Sequence, residues 1–164
     1  QRVDLQQTFS LRWPGRGDWA SASMGVAGGG LLGAGVFVIG AAALLAFRGD
    51  ALTPEARSLS QQLVDMIVGQ PWWVSWLLIA VLPAVCEELL FRGWTLAAFA
   101  GRRRTAGRVA LAVVAQAFLF AVAHVLPERM PQTFVLGAVL GWVTITTGSL
   151  LPAIIGHLVH NSMP

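Results

Sequence analysis

Charged residues are scarce in this chain. Only 12% of its 164 residues are charged, whereas apolar residues make up 55%. Soluble domains usually carry a charge on about a quarter of their residues, so the composition excludes a simple soluble enzyme. The length corresponds to a single domain. We therefore expect an all-α membrane protein that has the lipid bilayer as its surroundings.

Lysine is absent and cysteine is rare, and both facts limit the possible partners and bonds of the protein. There is no lysine, and the 11 basic residues are all arginine. Arginines at the edges of membrane segments explain the net charge of +3, so this charge does not indicate a nucleic-acid partner. The single cysteine, Cys86, excludes an internal disulfide. Because Cys86 lies within an apolar run, we predict a buried, unreactive thiol.

Long uncharged runs predict a polytopic transmembrane helical bundle with about five membrane segments, since roughly 20 helical residues cross a bilayer. Residues 1–24 are polar and form a connector, and residues 25–164 form the membrane helical domain. Thr53 and Pro54 indicate the start of a short amphipathic helix after the first span. The predicted segments are residues 25–47, 72–100, 109–125, 133–147 and a fifth from residue 150 onward.

The distribution of arginine predicts which loops face the cytoplasm. With residues 1–24 and 101–108 on the cytoplasmic side, that side holds seven arginines and the other side holds three. In the fourth span, Gly137 and Gly141 stand four residues apart, a spacing that favours close helix packing. The sequence thus predicts a multi-pass protein with closely packed helices.

The second span contains three ionisable residues, Glu87, Glu88 and Arg92. Charges at membrane depth are costly, so by default they mark function. Glu88 and Arg92 are four residues apart on one helix face, which predicts an ion pair. Glu87 is rotated by about 100° from Glu88 and is not held by that arginine. Either Glu87 is a spare acid beside a structural ion pair, or it takes part in chemistry.

All three histidines also lie in apolar segments. His124 follows Phe120 by four residues, so the Phe120 ring either walls off the imidazole or is ordinary core. His157 and Asn161 are also four apart and present an imidazole and a carboxamide to the same point. His160 lies beside that face and is interpreted as a spare. Three membrane histidines beside two glutamates are difficult to explain by packing alone.

Two catalytic mechanisms fit these residues, and both require them to converge around one polar cavity. In the first, Glu87 and His124 hold and deprotonate a water that attacks a peptide carbonyl. His157 and Asn161 then donate hydrogen bonds to the oxyanion. In the second, Glu87, His124 and His157 bind a divalent metal such as zinc. The H-E-x-x-H helix is absent, so the sequence gives zinc no independent support.

Three motifs follow one another on successive spans: Glu87-Glu88-x-x-x-Arg92, Phe120-x-x-x-His124 and His157-x-x-x-Asn161. In this order they resemble the motifs of the CPBP family, the CAAX protease and bacteriocin-processing family, which is also called Abi. The match covers about residues 71–164. The resemblance implies an intramembrane endopeptidase that hydrolyses a peptide bond of a membrane-associated protein or peptide. It also implies an integral membrane protein, which we expect in a bacterial cytoplasmic membrane.

The resemblance assigns a role to each motif residue. Glu87 and His124 would activate water, and His157 and Asn161 would form the oxyanion site. The supporting motif residues would be Glu88, Arg92 and Phe120. The family is commonly labelled metalloprotease, yet a metal-free glutamate mechanism is also proposed for it, so both mechanisms stay open. Residues 1–24 resemble a junction that follows an ABC-type permease, which implies such a segment upstream.

Two other functions stay open beside proteolysis. One is a non-catalytic membrane module of an export or bacteriocin-immunity system that keeps the family's residues. The other is an ion or proton pathway lined by Glu87, Glu88 and the histidines. A protease loses its function on Glu87→Ala with the fold intact, whereas a binding module tolerates this change.

Overall fold

The computed structural model describes residues 13–20, 22–23, 26–27, 61–62, 65–67, 69–101, 105–124, 127 and 129–163. All regular secondary structure in these ranges is helical, as the composition predicts. The main elements are α1 (Trp72–Ala100), α2 (Ala106–Ala123), α3 (Met130–Thr147) and α4 (Leu151–Ser162).

Helices α1, α2 and α3 are long and apolar enough to cross a membrane. They correspond to the second, third and fourth predicted spans. Helix α4 has 12 residues. It is about 18 Å long at 1.5 Å per residue, which is less than the hydrocarbon core of a bilayer. The predicted first span, apart from residues 26–27, and most of the amphipathic helix lie outside the described residues. The structure therefore confirms three of the five predicted segments.

Local signals in the sequence set the ends of these helices. Helix α1 ends at Gly101 and α3 ends at Gly148, both with a positive φ that glycine adopts without strain. The hydroxyl oxygen of Thr105 accepts the Arg108 N–H at 3.4 Å and caps the start of α2. Helices α3 and α4 each have a proline in the first turn, where no N–H is needed.

Helix α1 is irregular on both sides of the acidic pair. Two π-helical stretches, Leu77–Val81 and Leu89–Thr95, flank the α-helical stretch Leu82–Glu88. The N–H of Leu82 donates to the carbonyl five residues back, as expected in a π turn. Pro83 lies two residues after the end of the first π stretch and cannot donate to the Ile79 carbonyl. The helix is thus locally widened near the acids.

Helices α2 and α3 pack closely through the glycines of the fourth span. A Cβ atom at Gly137 would lie 3.0 Å from the Cα atom of Ala117, and one at Gly141 would lie 2.5 Å from Nε2 of Gln116. Neither position therefore accepts a larger side chain without a shift of its neighbours. The predicted small-residue packing is confirmed for this pair of glycines.

All four helices contribute to one apolar core that surrounds the motif residues. Its buried members are Phe91, Phe120, Leu136, Leu140 and Ala153. The outer faces of the helices also carry large apolar side chains, among them Leu90, Leu111, Phe118 and Trp142. Apolar residues on an outer face are expected where the surroundings are lipid rather than water.

The prediction of a buried Cys86 is wrong. The thiol lies on the exposed face of α1, next to the acidic pair. Its apolar neighbours in the sequence do not indicate burial inside the protein, because a helix in lipid is apolar on its outer face as well.

Candidate active site

Glu88 and Arg92 form a fully buried ion pair in α1. Nη1 of Arg92 lies 2.7 Å from Oε1 of Glu88, which confirms the pair that the four-residue spacing predicts. Nη2 of Arg92 donates to the Gly137 carbonyl at 3.3 Å, and the guanidinium lies 4.3 Å from the centre of the Phe120 ring. These contacts offset the cost of burying the charge.

The carboxylate of Glu88 also contacts His157 of α4. Nδ1 of His157 lies 2.9 Å from the same oxygen, Oε1, that receives Arg92. A carboxylate only accepts hydrogen bonds, so Nδ1 of His157 carries the proton. Glu88 therefore fixes the orientation of the imidazole and directs its Nε2 away from the ion pair. The sequence does not predict this contact, because the two residues lie far apart in the chain.

Glu87 lies on the other side of the same imidazole. Its Oε2 is 3.8 Å from Nε2 of His157, and its side chain is 31% exposed. Oε2 itself is buried and has no hydrogen-bond partner among the described residues. Oε2 of Glu88 is likewise buried without a partner among these residues, but the whole side chain of Glu88 is buried, so Glu87 is the carboxylate that a substrate or a water can reach.

His124 and His157 both contact the ring of Phe120. The ring of Phe120 is fully buried, with its centre 4.6 Å from that of His124 and 5.7 Å from that of His157. Nδ1 of His124 lies 2.8 Å from the Phe120 carbonyl oxygen. Since a carbonyl only accepts, Nδ1 donates, and Nε2 of a neutral His124 is left as an acceptor. Phe120 thus holds both imidazoles as well as the guanidinium of Arg92.

Asn161 lies one turn beyond His157 on α4 and is partly buried. No residue in the described part of the chain hydrogen-bonds to its carboxamide. The next residue, Ser162, accepts a hydrogen bond of 2.9 Å from Nε1 of Trp76, which ties the end of α4 to the start of α1. The structure therefore brings together Glu87, His157 and the Phe120–His124 pair, and it places Asn161 beside them without a direct contact.

The predicted metal ligands do not form a ligand set in this arrangement. Among the described residues, no group of three histidine, cysteine or acidic side chains could hold a metal ion. Glu87 and His157 are neighbours, whereas the described contacts of His124 are with Phe120. The residues as placed do not fit a three-ligand zinc site, and we derive no catalytic step through a metal.

Gln116 is a buried polar residue that the motif analysis does not include. Its side chain is fully buried in α2, and its Nε2 donates to the Gly137 carbonyl at 2.8 Å. The same carbonyl receives Arg92 of the ion pair. One sequence signal could have identified it, because Gln116 is a polar residue within an uncharged span, one turn before Phe120.

In a comparison with known protein families, the chain matches the family described as type II CAAX prenyl endopeptidase Rce1-like. The match spans residues 69–163, more than half of the chain, and includes all four helices and every candidate site residue. No curated protein and no solved structure matches the chain. The match agrees with the resemblance to CAAX proteases that the three motifs indicate. The chain belongs to the Rce1-like family of type II CAAX prenyl endopeptidases, which are membrane proteases.

Proposed function

We propose that this protein hydrolyses a peptide bond of a membrane-associated protein or peptide with a water that Glu87 activates. One observation carries the proposal. The Oε2 oxygen of Glu87 is buried, lacks a partner in the described part of the chain and lies 3.8 Å from Nε2 of His157. Such an oxygen next to an imidazole is suited to act as a general base. Glu88 also has an unpaired Oε2, but it is less suited, because its side chain is fully buried and its Oε1 already receives Arg92 and His157, whereas the side chain of Glu87 is 31% exposed.

The proposed reaction begins with a proton transfer from water to the Glu87 carboxylate. The water oxygen bonds to the scissile carbonyl carbon, and the carbonyl oxygen becomes an oxyanion. When the oxyanion collapses, the C–N bond breaks and the proton held by Glu87 passes to the leaving nitrogen. Nε2 of His124, left as an acceptor by the bond from Nδ1 to Phe120, helps to orient the water.

The oxyanion site consists of His157 and Asn161 in this proposal. Since Nδ1 of His157 donates to Glu88, His157 must carry a second proton on Nε2 before it can donate to an oxyanion. Asn161, one turn along α4, supplies its carboxamide N–H as a second donor. The loss of one such donor costs about 100-fold to 1,000-fold in kcat in soluble hydrolases, and we expect an effect of that order for Asn161→Ala.

Proteolysis by the purified protein in lipid vesicles tests the proposal. The substrates are membrane-tethered peptides, with prenylated CAAX peptides and their unprenylated forms in separate arms. Wild type, Glu87→Gln and His124→Ala are compared at equal amounts of folded protein, each with and without a metal chelator. We expect cleavage by wild type and loss of cleavage in both variants.

Each arm decides a different point. Cleavage that survives Glu87→Gln contradicts the assignment of Glu87 as the base. Wild type that cleaves none of the peptides, although it is folded, favours a non-catalytic membrane module. Loss of cleavage with the chelator and its return with zinc favour a metal-dependent reaction over the glutamate mechanism. The prenylated and unprenylated arms decide whether the lipid group is part of the substrate.

A further inference from the structure

Gln116 is buried in a way that packing alone does not explain. None of its surface is exposed. Its Nε2 donates to the carbonyl oxygens of Gly137 at 2.8 Å and Val113 at 3.1 Å. Its Oε1 is buried and makes no hydrogen bond to the described residues. An apolar side chain of the same size would avoid the cost of burying an unpaired oxygen, so the amide has another task.

The Gly137 carbonyl links Gln116 to the ion pair. It accepts Nε2 of Gln116 at 2.8 Å and Nη2 of Arg92 at 3.3 Å. A carbonyl within a helix also accepts the N–H four residues on, so this oxygen serves donors from three helices. The position of the guanidinium therefore depends on where Gln116 holds α3.

Helix α3 is shaped to admit the amide of Gln116. A Cβ atom at Gly141 would lie 2.5 Å from Nε2 of Gln116, so a larger residue there would push the amide out of its present position. The glycine pair of α3 thus does more than bring two helices together. It leaves a slot in which the amide reaches the Gly137 carbonyl, one turn away on the same face.

The contacts continue from Arg92 to the reacting groups. Nη1 of Arg92 lies 2.7 Å from Oε1 of Glu88, and Nδ1 of His157 lies 2.9 Å from the same oxygen. The other nitrogen of His157 faces Glu87. A shift of Arg92 would therefore move the Glu88 carboxylate and turn the imidazole relative to the general base.

We propose that Gln116 is a positioning residue for the reaction, which acts through the Gly137 carbonyl and Arg92 to fix Glu88 and His157. The inference rests on the proposed function, because it assigns Gln116 a role in that reaction. The simpler alternative is that the amide only joins α2 to α3, as polar side chains do in membrane helix pairs. The two differ in what replacement of Gln116 does to kcat and to the coupling with Arg92.

The test compares Gln116→Met, which keeps the length of the side chain but removes its hydrogen bonds, with Thr144→Val. Thr144 is a matched control, because it is buried in α3 and its hydroxyl donates only within that helix, to the Leu140 carbonyl at 2.9 Å. Both changes are made in wild type and in an Arg92→Lys background. For each variant we measure kcat and KM on the best cleaved peptide, and the melting temperature in detergent.

We expect Gln116→Met to lower kcat by about 10-fold to 100-fold with little change in KM, since small misplacement of catalytic groups has effects of this size. Gln116→Met and Thr144→Val should melt at similar temperatures, and Thr144→Val should keep the wild-type kcat. In the Arg92→Lys background, Gln116→Met should have little further effect on kcat, because coupled residues are not additive.

A wild-type kcat in Gln116→Met overturns the inference. So does an effect of the same fold in both backgrounds, which means that Gln116 and Arg92 act independently. A wild type that cleaves nothing contradicts the proposed function instead. In that case the melting temperatures of wild type, Gln116→Met, Arg92→Lys and their double variant decide, and additive changes for Gln116 and Arg92 overturn the coupling.

Discussion

Glu87 and Glu88 are adjacent in the sequence but have different surroundings. A helix rotates each residue by about 100° from the previous one, so the two carboxylates lie on different faces of α1. Each has one oxygen without a partner among the described residues, but Glu88 is fully buried against Arg92 and His157, whereas the side chain of Glu87 is 31% exposed. One carboxylate is suited to hold the imidazole in place, and the other is suited to accept a proton.

This difference predicts that Glu88→Gln destabilises the fold, whereas Glu87→Gln does not. Loss of the Glu88 charge leaves Arg92 buried without a counter-ion, which typically costs about 3–5 kcal/mol. Glu87→Gln leaves that pair intact, so it should melt close to wild type. Both variants should lose proteolysis. Thermal unfolding in detergent, measured beside cleavage, checks both expectations. Equal melting temperatures for the two variants would show that the ion pair does not stabilise the fold.

The contacts that the sequence predicted at this scale are the local ones. The Glu88–Arg92 pair follows from a spacing of four residues within one helix. The contact between Glu88 and His157 joins two helices. The residue pattern of each helix does not determine how the two helices are placed relative to each other. The hydrogen bond from Gln116 to the Gly137 carbonyl also joins two helices, so the sequence does not predict it either. Side-chain motifs thus indicated which residues have neighbouring positions in the structure, but not how they divide the hydrogen bonds.

At the scale of the elements, the shape of α1 decides where the acids point. The stretch Leu82–Glu88 is α-helical, and the π-helical stretches Leu77–Val81 and Leu89–Thr95 lie on either side of it. Each π turn holds an extra residue and changes the face that the following residues present. Hydrophobic patterns did not predict these turns, because α1 is apolar on nearly every side.

The π turn before Pro83 predicts that α1 tolerates a deletion there better than between the two turns. Deletion of Leu78 removes one residue from the π stretch, which can then close as a regular α-helix and keep the later residues in place. Deletion of Val85, an exposed residue of the α-helical stretch, turns the two halves of α1 by about 100° relative to each other. We expect the first variant to melt near wild type and the second to lose both fold and activity.

Melting temperature and cleavage of the two deletion variants test this expectation in parallel. Both deleted side chains are exposed and apolar, so the loss of packing is comparable. If both deletions unfold the protein to the same extent, the π stretch is a rigid part of the fold and does not absorb a change in length.

At the scale of the whole molecule, hydropathy predicted the three long helices, since their length and composition both follow from the bilayer. It did not predict that α4, which carries His157 and Asn161, has only 12 residues. The same composition misled the prediction for Cys86, since apolar surroundings in a membrane protein include the lipid. Trp72, Trp73 and Trp76 are exposed at the start of α1, as the aromatic belt of a membrane interface would be.

The exposed position of Cys86 allows a direct test of how the bundle meets the bilayer. It is the single cysteine of the chain, so a nitroxide label attaches at one place beside the acidic pair. If this face of α1 lies in lipid, the label in vesicles will be more accessible to oxygen, which dissolves in the bilayer, than to a water-soluble nickel complex.

A label on Gly107→Cys in a Cys86→Ser background is the control, because Gly107 is exposed at the start of α2, where a membrane helix reaches the interface. The control should be more accessible to nickel. Greater nickel accessibility at Cys86 would mean that water reaches this face of α1, and a substrate would then approach Glu87 from an aqueous cleft rather than from the bilayer.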